Sequence, residues 1–134
     1  MPAFGKVSKK RKLSVDTKLQ KILDAAIEIF DFSIICGHRN KEAQDLAFAT
    51  GKSKKKWPES THNKYPSQAV DIAPYPIDWE NRDRFIFLAG IIYCISQQLG
   101  IKIRFGGNWS RSWQFENQKF DDLVHFELVE NTGN

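Results

Sequence analysis

The chain has 134 residues, 41% of them hydrophobic and 27% charged, which fits one globular domain with one core and excludes a disordered or fibrous chain. No apolar run approaches the roughly 18 residues that a membrane-spanning helix requires, and no apolar stretch follows the basic N-terminus as it would in a signal peptide. The net charge of +4 is concentrated in two blocks, 9–12 (KKRK) and 52–56 (KSKKK), which suit a polyanionic partner but serve equally well as a solvated tail and a solvated loop.

Residues 1–12 read as a mobile basic arm, leaving 13–134 as the folded domain. Helix signals begin at Ser14 or Asp16, with Leu19, Ile22, Leu23, Ala26, Ile27 and Phe30 at helical spacing. The short β-branched run 32–36 (FSIIC) reads as a buried strand that ends at Gly37. Asn40 is placed to cap a second helix through about residue 50, and Gly51 to end it. Cys36 and Cys94 both sit in apolar stretches and read as reduced core residues.

Residues 52–68 are polar and punctuated by Pro58 and Pro66, as a loop is. A strand over 69–73 (AVDIA) is stopped by Pro74 and Pro76. Asp78 opens the longest helix, 79–99, with an apolar stripe that includes Phe85, Leu88, Ile91, Ile92 and Ile95. A strand over 101–105, a tryptophan-rich loop over 106–119 and a last strand over 124–129 complete the chain. This order predicts a compact α+β domain, a small antiparallel sheet flanked by helices.

The chain has three histidines. His62 lies in the long loop, Asp71 follows nine positions later on a strand, and His125 lies on the last strand. Two imidazoles and a carboxylate are the donor set of a catalytic zinc site that keeps a position for water. Spacing leaves open whether the three meet, since an exposed histidine, a strand-end aspartate and a half-buried histidine give the same pattern. Cys36 and His38 offer a different pairing, Cys-x-His, on one strand face.

Ser60-Thr61-His62, Ala69-Val70-Asp71 and Asp122-Leu123-Val124-His125 resemble the SxH…AxD…(D/E)xxH pattern of the D-alanyl-D-alanine carboxypeptidase/VanY-type zinc peptidases. Gly37-His38-Arg39 with Gln44, the run 73–79 (APYPIDW) and the run 104–109 (RFGGNW) bring the resemblance nearest to phage endolysins of the L-alanyl-D-glutamate endopeptidase kind. One departure stands out. The segment HNKYPSQAVD is longer between histidine and aspartate than the HxxGxAxD of many relatives.

The resemblance implies zinc held by His62, Asp71 and His125 in a cleft on the sheet, with Asp122 as general base on the water. It implies Arg39 at the scissile carbonyl or a substrate carboxylate, and Ser60 orienting the metal loop or the substrate. Glu127 shares a strand face with His125 and is a candidate to support it or to face solvent. Trp109 and Trp113 are candidates to line the cleft, with Trp109 on substrate, while Trp57 and Trp79 read as packing residues.

The implied activity is hydrolysis of the peptidoglycan stem peptide, at the L-Ala-D-Glu bond, during host lysis. A monomer made in the bacterial cytoplasm, with no membrane insertion, would then need a separate membrane pore to reach the wall. Two alternatives stay open. One is a D-alanyl-D-alanine carboxypeptidase; the other is a basic, non-catalytic nucleic-acid-binding domain, which explains the lysines and tryptophans but not the ordered His/Asp/Asp/His set.

Overall fold

The structure is a computed structural model, and it describes residues 2–107 and 122–129. Among these residues four helices, α1 (Lys6–Lys12), α2 (Thr17–Ile27), α3 (Lys41–Ala49) and α4 (Arg82–Leu99), accompany four strands, β1 (Phe32–Cys36), β2 (Ala69–Pro74), β3 (Ile103–Phe105) and β4 (His125–Leu128). The strands form one antiparallel sheet in the order β1-β2-β4-β3. The expected α+β architecture is the one found.

Strand alternation gives the sheet two unlike faces. Phe32, Ile34, Val70, Ile72, Ile103, Phe105 and Phe126 are buried together with Leu19, Ile22, Leu23, Ala26 and Ile27 of α2 and with Leu88, Ala89, Ile92 and Ile95 of α4. The residues between them in the strands, Asp71, His125, Glu127 and Arg104, therefore fall on the opposite face. Direct pairing of Asp71 with His125 and of Glu127 with Arg104 sets these polar side chains side by side.

The helix ends follow local chemistry. The Asp16 side chain accepts from the Lys18 amide and starts α2, and the Asn40 side chain accepts from the Ala43 amide and starts α3. Gly51 follows α3 with φ 79°, and Gly100 ends α4 with φ 71°. Helix α4 starts later than the pattern predicts. Asp78 caps a preceding turn through the Glu80 amide, and Asn81 is the residue that caps the helix. Trp79 is exposed and lies against the Phe85 ring rather than inside the core. The strand expected from residue 101 begins at Ile103, because the Ile101 amide instead bonds Ser96 at the end of α4.

Residues 1–12 are not a mobile arm throughout, because 6–12 form α1 against β1. β1 is an edge strand, and α1 satisfies the edge. The Ser8 hydroxyl accepts from the Ile34 amide at 3.0 Å, and Arg11 Nη1 donates to the Ile34 carbonyl at 2.9 Å. Phe4 is buried edge-on against Phe32. The basic block 9–12 then occupies the last turn of α1, where cations favour the helix dipole.

Neither cysteine is in the core, and both are free. Cys94 is exposed on α4. Cys36 is displaced by a register shift in β1: Ile34 pairs with Ile72, yet Cys36 pairs with Asp71. One extra residue on β1 turns the Cys36 side chain from the core face to the Asp71 face.

Ser8→Ala removes the acceptor for the buried Ile34 amide, and we expect a loss of about 1–3 kcal/mol in unfolding free energy. Chemical denaturation of the variant beside the parent checks this. An unchanged midpoint would show that α1 adds nothing to the fold.

Candidate metal centre

His62 is carried by a single 3-10 turn, Thr61–Asn63, at the end of the long loop. Ser60 caps this turn by accepting from the His62 amide at 3.2 Å, while the Asn63 side chain reaches back to the Ser60 amide at 3.0 Å. Ser60 is buried and its hydroxyl is engaged with the loop, so of its two expected roles the geometry favours orienting His62 over touching substrate. The Arg39 amide donates to the His62 carbonyl at 2.8 Å, which ties this turn to the segment after β1.

The two imidazoles are oriented by opposite ring nitrogens. His62 Nδ1 lies 2.7 Å from the Gly37 carbonyl oxygen, which only accepts, so Nδ1 carries the proton. His125 Nε2 lies 2.7 Å from Glu127 Oε1 and donates to that carboxylate. The remaining nitrogens, His62 Nε2 and His125 Nδ1, each lie 3.1 Å from the same atom, Asp71 Oδ1. Each can approach a carboxylate oxygen so closely only if it carries a second proton or shares a cation with it. Without a metal, burial opposes charge on His62, but the Asp71 carboxylate prevails and lifts its pKa to about 10. His125 is raised too, with burial opposing and Asp71 and Glu127 favouring the proton. Asp71 is held well below the usual carboxylate range by both histidines, against its burial.

Two imidazole nitrogens that each approach the same carboxylate oxygen, with each imidazole fixed through its other nitrogen, fit a zinc ion in donor type and in tautomer. Among the described residues, two groups bring ligating atoms within 4.8 Å of one another: Cys36 with His62 and Asp71, and Asp71 with Asp122 and His125. Cys36 was expected in the core. Its sulfur lies 3.9 Å from His62 Nδ1, the nitrogen turned away from Asp71, and this hydrogen-bonded neighbour lowers the thiol pKa against the effect of burial. His38 does not join Cys36, because its ring packs edge-on against Tyr65.

Asp122 reaches the centre through a turn in which the His125 amide bonds the Asp122 carbonyl at 3.0 Å. Gly106 makes room for this turn: a side chain there would strike the Asp122 carbonyl, and the Asp122 amide donates to the Gly106 carbonyl at 2.9 Å. Burial and the nearby Asp71 charge raise the Asp122 pKa. Arg39 Nη2 stands 3.9 Å from Asp71 Oδ2, and its Nη1 donates to Gln44 Oε1 at 3.0 Å.

Gln44, fully buried, also receives the Asn63 side-chain amide and donates to Ser53 Oγ and the Lys55 carbonyl. It joins Arg39, the His62 turn and the KSKKK loop, a role its place in the GxR…Q pattern does not reveal. Gly37 admits no side chain, since one would collide with Ser14 Oγ and the Arg11 carbonyl. Glu127 takes the supporting position beside His125 rather than facing solvent. Trp109, Trp113 and Asp121 lie outside the described residues.

Comparison with known proteins identifies the family and the fold. The L-alanyl-D-glutamate peptidase of Escherichia phage T5 is 33% identical to this chain, covering 94% of it and 97% of the relative. The crystal structure of the Serratia marcescens L-Ala D-Glu endopeptidase ChiX superposes with a TM-score of 0.75 at 22% identity, over 96% of this chain and 91% of that one, and so shares its fold. The sequence family described as phage L-alanyl-D-glutamate peptidase matches residues 2–129, and the chain belongs to that family.

Proposed function

We propose that this protein is a zinc-dependent endopeptidase that hydrolyses the L-Ala-D-Glu bond of the peptidoglycan stem and acts as a phage endolysin. The observation that carries the metal is the convergence of His62 Nε2 and His125 Nδ1 on Asp71 Oδ1, each at 3.1 Å. Family membership and the T5 relative support the substrate. His62, Asp71 and His125 hold the zinc, and Cys36 stands beside them on the outer edge of His62. When bound there, the ion acidifies water and polarises the scissile carbonyl.

The remaining chemistry belongs to the chain. Asp122 takes the proton of the attacking water on its carboxylate and passes it to the leaving amine. Its raised pKa suits a group that must both hold and release a proton. Arg39 presents its guanidinium to the carbonyl oxygen as negative charge develops, and Gln44 fixes the fork in that direction. No helix among the described residues is long and apolar enough to cross a membrane, and we take access to the wall to depend on a separate membrane pore.

Zinc analysis should find about one ion per chain, lost in His62→Ala and in His125→Ala. Full retention in either variant would remove that histidine from the ligand set. In the metal-free protein both histidine pKa values are raised, that of His62 to about 10, so the His62 imidazole holds a second proton at neutral pH that zinc must displace. Affinity should therefore climb with pH toward about 10, with proton release on binding measurable by calorimetry in buffers of different ionisation enthalpy.

Asp122→Ala should lose at least about a hundredfold in kcat while keeping its zinc and melting temperature. Wall-lysis rate measured beside metal content checks this, and normal lysis, or loss of activity only through loss of zinc, overturns the role. Arg39→Lys should be impaired almost as much as Arg39→Ala, because a point charge on a flexible stem does not replace a planar fork. Near-parental turnover in the lysine variant would make Arg39 a scaffold residue.

A further inference from the structure

The side chain of Arg104 lies on the same sheet face as the metal centre, one strand beyond it. Arg104 of β3 pairs directly with Glu127 of β4, and Glu127 lies two residues along β4 from His125. At the usual strand rise, this places the pair roughly 7 Å from the metal-facing histidine. Glu127 Oε1 is committed to His125 Nε2 at 2.7 Å. Arg104 Nη1 approaches the other oxygen, Oε2, only to 3.7 Å, beyond hydrogen-bonding distance. Arg104 Nε is buried and has no hydrogen-bond partner, whereas the side chain as a whole is 41% exposed. A buried donor without a partner is costly in a finished structure. An ion pair whose sole purpose was to hold Glu127 would close to a bidentate contact.

The charge around Glu127 is also unbalanced. One carboxylate faces the Arg104 guanidinium, and the positive charge of Lys55 acts on it too. Lys55 stands on the KSKKK loop, whose backbone at that residue is held by Gln44. The surplus is cationic, and it lies next to the centre.

We propose that Arg104 is a substrate-binding residue that engages a free carboxylate of the stem peptide beside the scissile bond, with Lys55 adding to the field. This rests on the function proposed above. In that substrate the D-glutamate is joined to the next residue through its γ-carboxyl, so its α-carboxylate stays free one carbon from the nitrogen of the bond to be cut. A guanidinium with unused donors is suited to such a planar anion.

The test compares two soluble peptides on the same zinc-loaded preparations: L-alanyl-γ-D-glutamyl-L-lysine, and its counterpart in which the α-carboxylate of D-glutamate is an amide. The unsubstituted enzyme should prefer the acid. Arg104→Ala should lower kcat/KM for the acid about tenfold or more, chiefly through KM, and change the amide less than about threefold. Arg104→Lys should restore part of the preference. An equal fall on both peptides, or loss of zinc, would mean that Arg104 acts only through Glu127 and His125, and would overturn the assignment.

Calorimetric binding of the product γ-D-glutamyl-L-lysine provides a readout that needs no turnover. Binding that Arg104→Ala weakens about tenfold supports the subsite, and equal binding by parent and variant, or none by the parent, overturns it. If the parent cleaves neither peptide but binds this product through Arg104, the proposed reaction fails and the subsite stands.

Discussion

The arrangement turns on one oxygen atom. Asp71 Oδ1 lies between His62 Nε2 and His125 Nδ1, and almost every nearby feature fixes one of those three partners. Gly37 sets the tautomer of His62 with its carbonyl, and Glu127 sets that of His125 with its carboxylate. Such a cluster is tolerable below the surface only if a proton or a metal ion supplies the missing positive charge. The cluster therefore needs one of those two occupants, and under the proposed function its affinity for metal would be tied to the acidity of its own histidines.

The sheet keeps stability and chemistry apart. Its inner face is continuous with the α2 and α4 core, while the outer face carries Asp71, His125, Glu127 and Arg104 in pairing register. The two faces differ only in the phase of a two-residue repeat, so a core position and a site position alternate along each strand. Gln44 performs the matching task outside the sheet, where one buried amide binds Arg39, Asn63 and the basic loop. Its donors and acceptor are all used, which is the condition under which a buried polar group gives definition rather than strain.

Much of this was legible in sequence, for identifiable reasons. Helices α2 and α3 announce themselves because Asp16 and Asn40 are good caps and because apolar residues follow at helical spacing in α2. Helix α1 was not legible: its residues KVSKKRK show no apolar stripe, and its place is set by the unpaired edge of β1, a tertiary fact. Cys36 was misread because a one-residue bulge inverts its side, and local composition does not encode register. The candidate ligands His62, Asp71 and His125 were legible as an ordered motif. Their meeting, though, depends on β2 lying next to β4 across 54 positions of sequence, which spacing alone leaves undetermined.

The covering of β1 by α1 reaches beyond local stability. A sheet margin with free amide and carbonyl groups is a template on which another chain can add a strand, and repetition of that event gives aggregates. Here the Ile34 groups at that margin are already bound by Ser8 and Arg11, and four cationic side chains stand in the last turn of the covering helix. A second molecule approaching this margin meets like charge, and finds the Ile34 amide and carbonyl already bonded. The segment that looked least structured in the sequence thus works against strand addition at the β1 edge of the sheet.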